Sequence, residues 1–335
     1  MKKTTLCYIE CGGKLLMLRR TKKKKNDGND EKYIGLGGHF EKDETPEECM
    51  LREVYEEAGI LLSDYSYRGI VRFQSDLWEE EEMHLFSAFA PAFPLPECAE
   101  GELCLVEKED LFFLNLWEGD FLFLSLLLEG APFFHLSLFY KGEHLEKALL
   151  GDRPAELFDL LDERGRKTGK FKERSLVHRD GDRHGTVHIW IYRRNRGKIQ
   201  VLLQKRVQNK DSFPGCYDIS SAGHLERGED FEHAALREPL EELGLHLKKE
   251  NLRFLSFEER YTEGTFAQKT FRDLEYTALY LYDGQALCPT DFALQKEEVE
   301  EVVWMDAGLV AERLDSPDYS VNREEWQKIL SELPS

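Results

Sequence analysis

The sequence predicts an α/β protein of two tandem domains, each a mixed sheet that carries one acidic helix. Three observations predict it. At 335 residues the chain is long enough for two domains that each bury a core of their own. A pattern of glycine, arginine and glutamates that begins at Gly38 recurs from Gly223, at an equivalent depth in the second half. Around each copy, short apolar runs bounded by turn residues have the period of strands.

In the first half, residues 4–10 and 14–20 flank Gly12-Gly13 and predict a β-hairpin. The charged segment 21–32, with Lys22 to Lys25, is a solvated loop; the functional alternative is that one lysine steadies substrate phosphates. Thr45-Pro-Glu-Glu48 is a helix start, with Thr45 as N-cap, Pro46 at the first helical position and Glu48 completing a capping box. Gly59 ends that helix as a left-handed cap. Strands are expected over 67–74 and 83–90, and again over 103–106 after Glu100-Gly-Glu102. Asp120 is placed to cap a helix over 121–128 that Gly130 closes, and residues 133–140 and 144–149 form a last hairpin.

Glu53, Glu56 and Glu57 stand three and four positions apart, so their carboxylates project from nearly one helix face. Like charges so placed repel unless a cation sits among them, and carboxylate oxygens suit hard divalent ions such as Mg²⁺ or Mn²⁺. The glycines of Gly35-Leu-Gly-Gly38 let backbone approach a ligand closely. The bland alternative, a solvated acidic surface helix, does not account for the whole pattern occurring twice.

The linker is expected in residues 150–155. A second hairpin follows over 157–161 and 168–171, then strands over 187–192 and 201–206. The second copy runs from Gly223-His-Leu-Glu-Arg-Gly-Glu229 to Arg237-Glu238-Pro239-Leu-Glu241-Glu242-Leu-Gly244-Leu245. Pro239 takes an apolar slot inside the helix, where it removes one backbone hydrogen bond at a cost of roughly 3 kcal/mol and is expected to kink the axis, which leaves open how Glu238 is aimed relative to Glu241 and Glu242. Residues 273–282 alternate like a strand, 297–304 form an acidic turn into an edge strand, and 323–333 make a final amphipathic helix.

Glycine, five residues, glutamate, seven residues, then Arg-Glu-apolar-any-Glu-Glu-any-Gly-apolar resembles the Nudix box, filled at every defined position by residues 38–60. The resemblance implies two Nudix folds, over 1–150 and 156–335, each an α/β/α sandwich around a mixed sheet. It implies that Glu53 and Glu57 hold Mg²⁺ directly, that Glu56 shares a second ion, and that the Gly37 carbonyl completes the site. Arg52 and Glu44 brace the glutamates, and Glu53 or Glu100 acts as general base. By the same carry-over Glu238 and Glu242 hold metal in the second site, Glu241 assists, Arg237 and Glu229 brace, and Glu275 or Glu298 is the base. Cys49 and Val54 are core.

The first half as a whole is similar to the MutT-type oxidised-purine nucleoside triphosphatases. Trp117 would stack on the purine and Asp120 would bond its edge. Where that group has Asn and a first Asp, this chain has Ile34 and Gly119, which weakens the implied preference for 8-oxo-dGTP. The second half resembles the branch that includes isopentenyl-diphosphate isomerases. Its metal-binding His and Glu match His178, His188, His224 and Glu275, each of which taken alone is more often structural. The isomerase thiol is replaced by Ala222, with Cys216 six residues too early, so hydrolysis of a nucleoside diphosphate derivative is expected and isomerisation is not.

A net charge of −20 argues against a nucleic acid polymer or an acidic membrane surface and leaves small nucleotide or diphosphate substrates, with metal supplying the positive charge. Seven cysteines without Cys-x-x-Cys spacing indicate neither a disulfide framework nor a zinc site and suit a reducing cytoplasm. No secretion signal is evident at the basic start, and Glu118, Asp120, Glu129 and Gly130 interrupt the most apolar region. The alternative to two hydrolases is one catalytic domain with a binding or regulatory one.

Overall fold

The computed structural model describes residues 1–21, 31–91, 94–208, 213–266 and 269–334. The lysines Lys22 to Lys25 lie outside them. The chain divides into two compact units, Met1–Glu156 and Leu157–Ser335.

In the first unit β1 (Lys2–Cys11) and β2 (Lys14–Arg19) form the expected hairpin, followed by β3 (Tyr33–Ile34) and α1 (Pro46–Ala58). Then come β4 (Tyr65–Ser75), β5 (Glu81–Ala90), β6 (Glu102–Val106), α2 (Asp120–Leu128), β7 (Phe134–Lys141), β8 (His144–Leu150) and β9 (Arg153–Pro154). The sheet runs β3-β2-β1-β5-β4-β7-β8-β9, with β6 on β2. It is mixed, because β1 lies parallel to β5 and β4 parallel to β7. The segment expected to be a linker therefore turns at Gly151 into β9, which pairs with β8.

Local signals fixed α1 as expected. The Thr45 side chain accepts from Glu48 N and the Glu48 carboxylate from Thr45 N, while Gly59 adopts φ 68°. Its buried face, Cys49, Met50, Val54 and Ala58, packs on Cys7, Ile9, Leu16 and Phe86 of the sheet. α2 differs from expectation at its start. Gly119 holds the cap position and Asp120 is the first helical residue, so its carboxylate does not cap the helix but turns back to accept from Trp117 N at 3.3 Å.

The second unit repeats the plan. β10 (Leu157–Leu161), β11 (Lys167–Glu173), α3 (Arg174–Asp180), β12 (Arg183–Asn195) and β13 (Lys198–Arg206) lead through β14 (Tyr217–Asp218) and β15 (Ser221–His224) to α4 (Phe231–Leu243). β16 (Leu252–Phe266), β17 (Lys269–Asp283), β18 (Val299–Asp306), α5 (Ala307–Arg313) and α6 (Arg323–Glu332) complete it. β12 runs parallel to β17, as β1 does to β5. One face of the sheet packs on Ala234, Ala235 and Leu243 of α4, and the other on Val310 of α5 and Trp326 and Ile329 of α6. Helices on both faces make the three layers expected. α4 carries Pro239 inside it yet runs 13 residues, the length of α1, as one unbroken helix.

Candidate functional site

In each unit the box arginine binds the loop and the helix together. Arg52 donates to both oxygens of Glu44 (2.6 and 2.9 Å), to Glu53 (2.8 Å) and to the His39 carbonyl (3.0 Å). Arg237 repeats this with Glu229 (2.9 and 2.8 Å), Glu238 (2.8 Å) and the His224 carbonyl (2.9 Å), and adds Glu241 at 2.9 Å. The hydrogen bond from Arg52 holds Glu44 down at about 2. With Pro239 in the helix, Glu238 is nonetheless held by its box arginine as Glu53 is.

Both lead glutamates lie against the first glycine of their box. A Cβ on Gly38 would come within 2.5 Å of the Glu53 carboxyl carbon, and one on Gly223 within 1.9 Å of that of Glu238. Gly223→Ala is therefore expected to displace Glu238 and cut second-domain turnover about 10²-fold while the thermal midpoint stays near wild type. Steady-state rates beside a melting curve check it.

Glu57 is buried and accepts from Gly37 N at 2.9 Å, while its Oε1 has no partner. Burial, with Glu100 and Glu53 nearby, pushes its carboxyl up to about 8. Gly37 thus meets the acids through its N–H. Glu242 accepts from Ser221 Oγ at 2.6 Å, and burial followed by the charge of Glu242 pushes Glu238 well up. Glu56 and Glu241 are exposed, each within reach of its box arginine. Glu100, a candidate base, is ion-paired with Arg20. Glu298 contributes its carbonyl to Val207 N.

A cavity of about 900 Å³ opens beside the first box, lined by Gly37, Gly38, Glu53, Arg20 and Glu100 at one end and Trp78, Trp117, Asp120 and Tyr140 at the other. Trp117 stands edge-on to Trp78 (5.4 Å) and Tyr140 (5.8 Å), and the Lys32 ammonium lies 4.6 Å from its ring centre. Burial pushes the Asp120 carboxyl up to about 7, against the pull of Trp117 N and Lys32. Gly119 is locked by its surroundings. Its N–H donates to Tyr140 Oη at 2.7 Å, and a Cβ there would meet Leu138 at 2.5 Å.

In the second unit His178, His184, His224 and Asp273 converge, with one ligand-type atom of each within 4.8 Å of the others. His178 Nε2, His184 Nε2, His224 Nε2 and Asp273 Oδ1 are all buried, and none makes a well-aligned hydrogen bond, although His184 Nε2 stands 3.3 Å from Asp273 Oδ1. Burial holds His178 down at about 4 and His224 well below its usual range, so both imidazoles are neutral at pH 7. The His184 ring donates Nδ1–H to the Asp182 carbonyl (3.0 Å), which turns Nε2 toward the cluster. This cluster differs from the set that the resemblance implied. His188 is not in the cluster, because its Nδ1 is bound to Glu325 at 2.9 Å. Glu275 stands beside it, 3.9 Å from His224 Nε2. His184 and Asp273 were not anticipated.

A NUDIX domain model matches residues 3–126 and again 182–324. The chain belongs to the Nudix family. It carries two such domains. It is 43% identical over 154 residues to Nudix hydrolase 3 of Arabidopsis thaliana, a match covering 45% of this chain and 19% of that protein. The chain thus spans about a fifth of the length of that curated relative. It is 34% identical over 162 residues to an uncharacterised Nudix hydrolase of Clostridium acetobutylicum, covering 48% of this chain and 75% of that protein. The mutator MutT protein of Bacillus halodurans aligns with 46% of this chain and 100% of its own, at TM-score 0.40 and 21% identity. No helix among the described residues is long and apolar enough to cross a membrane.

The donor sets of this Nudix protein fit divalent ions. In the first box the orphaned Glu57 Oε1 and the crowding of Glu53, Glu57 and Glu100 call for a cation. In the second unit the four converging atoms of the histidine cluster do so independently. Three imidazoles and one carboxylate suit zinc or manganese better than magnesium.

Proposed function

We propose that both domains hydrolyse phosphoanhydrides, the first acting on a purine nucleoside triphosphate to give monophosphate and pyrophosphate, the second on a nucleoside diphosphate derivative. The cavity that joins the Glu53 carboxylate, Arg20 and Glu100 to Asp120 and the Trp78–Trp117 wall carries the first assignment. A charged end beside the box and an aromatic, hydrogen-bonding end opposite it support that reading. A divalent ion, Mg²⁺ or Mn²⁺ at the boxes, would be held by Glu53 and Glu57 in the first site and Glu238 and Glu242 in the second. Its contribution is to neutralise the phosphates and acidify a water. Arg52 and Arg237 keep the lead glutamates on their glycines, and Arg20 presents a cation to the phosphates.

With its carboxyl pushed up to about 7, Asp120 carries a proton in about half of the molecules at neutral pH, and in that form it would donate a hydrogen bond to an acceptor on the base edge. Gly119 cannot give way to a second carboxylate beside Tyr140 and Leu138, so base reading falls on Asp120, and an oxidised purine is one member of the accepted class. Because the proton leaves near pH 7, KM for the triphosphate should rise about tenfold per pH unit above that value, while Asp120→Asn should show a flat profile. Measuring KM from pH 6 to 9 with dATP, dGTP and 8-oxo-dGTP tests the reading. Equal pH profiles in both proteins would remove Asp120 from base recognition.

In the second domain the undistorted Glu238 and the two sets of unpartnered or crowded donors support an active centre over a passive binding role. Ala222, where the isomerases have a thiol, supports hydrolysis over isomerisation.

A further inference from the structure

The two sheets can be compared residue by residue through their hydrogen-bond registers. His39 and His224 each follow the first glycine of a box, and each lies opposite a threonine of the central strand, Thr4 in one unit and Thr186 in the other. Counting along β1 and β12 from that point, Leu6 matches His188 and Tyr8 matches Trp190. On the parallel neighbour, Thr4 pairs with Met83 and Thr186 with Thr277. On the strand beyond, Phe73 pairs with Glu81 and Arg260 with Glu275. Thr4, Leu6, Phe73, Glu81 and Met83 all line the first cavity. The surface in register with them is Thr186, His188, Arg260, Glu275 and Thr277, so the threonine and glutamate are kept while the apolar Leu6, Phe73 and Met83 give way to His188, Arg260 and Thr277.

The helix over that surface carries the second difference. Glu325, in the first turn of α6, has a side chain only 1% exposed. It accepts from Trp190 Nε1 at 2.5 Å and His188 Nδ1 at 2.9 Å and is ion-paired with Arg260. Three donors engage this buried carboxylate, so it orients its neighbours. The His188 ring keeps 15% exposure on the face that carries Thr186 and Glu275, and its Nδ1 is committed to Glu325. Nε2 is the atom it can offer to a bound molecule. Arg260 Nε adds a buried donor without a partner.

We propose that His188, fixed by Glu325 of the C-terminal helix, is the specificity-determining residue of the second domain, and that it selects a diphosphate whose organic group is oxygenated, as in a sugar. A hydroxyl both donates and accepts, so it satisfies Nε2 in either protonation state of the ring. A flat base finds no aromatic wall among the register-equivalent residues, and an apolar isoprenoid chain would strip water from His188 and Arg260 without replacing its hydrogen bonds. The assignment rests on the reading of the second domain as a diphosphate site.

Calorimetric binding to the full chain tests it without turnover. In a Glu53→Gln, Glu238→Gln background with Mg²⁺ present, ADP-ribose would be compared with ADP and UDP-glucose with UDP. At least one sugar compound should bind tenfold or more tighter than its parent diphosphate. His188→Leu, which installs the first-domain residue, should abolish that difference, and His188→Asn should restore part of it. A sugar preference that is absent, or that survives His188→Leu with the variant folded by circular dichroism, overturns the proposal. A His188-dependent sugar preference without cleavage by the wild-type chain would sustain it and refute instead the hydrolytic reading of the second domain.

Discussion

Glu53→Gln should abolish triphosphate turnover by about 10³-fold and leave diphosphate turnover intact, and Glu238→Gln should do the reverse. The expectation follows from the position of each carboxylate. Glu53 and Glu238 are each held by the box arginine at 2.8 Å and pressed against a glycine that a methyl group would already crowd. An amide is nearly isosteric, so it keeps that packing while removing one negative charge where a cation must be bound. The loss should appear in kcat and in the metal concentration needed for half-activity, with little change in the melting curve. Metal titrations against both substrates, in both variants, check it. Loss of both activities in a single variant would mean that the two centres do not work independently, and no loss would remove the residue from the chemistry.

What the sequence could disclose of these centres divides along a physical boundary. Features written in a few neighbouring residues were legible. Thr45, Pro46 and Glu48 build the start of α1, Gly59 ends it, and Gly12-Gly13 turns the first hairpin. Features created by pairing distant strands were not. His184 and Asp273 join the cluster because β12 lies parallel to β17 in one particular register, and no local pattern states that register. The spacing of Asp273 and Glu275, two apart on a strand and so on one face, was the available signal. The setting of His188 was hidden for the same reason, since its partner Glu325 is 137 residues away on another element. Asp120 was placed as a cap from a local preference, but its buried setting against Trp117 N decided its direction. Pro239 shows tertiary packing prevailing over propensity: it is buried in a helix whose capping by Asp230 and Gly244 and whose apolar face suffice to carry it.

Arg237→Met is expected to destabilise the second domain by about 3 kcal/mol at neutral pH, an effect on stability that few single changes reach. Arg237 is the shared partner of Glu229, Glu238 and Glu241, and the Glu229 side chain is only 7% exposed. Removing the cation leaves carboxylates that are desolvated and mutually repelling, which costs more than the pairs themselves contribute. The pH dependence gives the sign. Burial is the largest influence and would raise the Glu229 carboxyl, but the hydrogen bond from Arg237, those from Glu226 N and His233 and the charge of Arg237 together hold the group below its usual value. Its stabilisation is therefore present above the unfolded value of about 4.3 and is lost as pH falls through the lower folded value. The variant lacks that contribution, so its deficit should be full near pH 7 and should shrink below pH ~4 as the stranded carboxylates take up protons. Calorimetric unfolding of both proteins at the two pH values checks this. A deficit that stays constant with pH would show that Arg237 acts by packing its side chain and not by pairing with the acids.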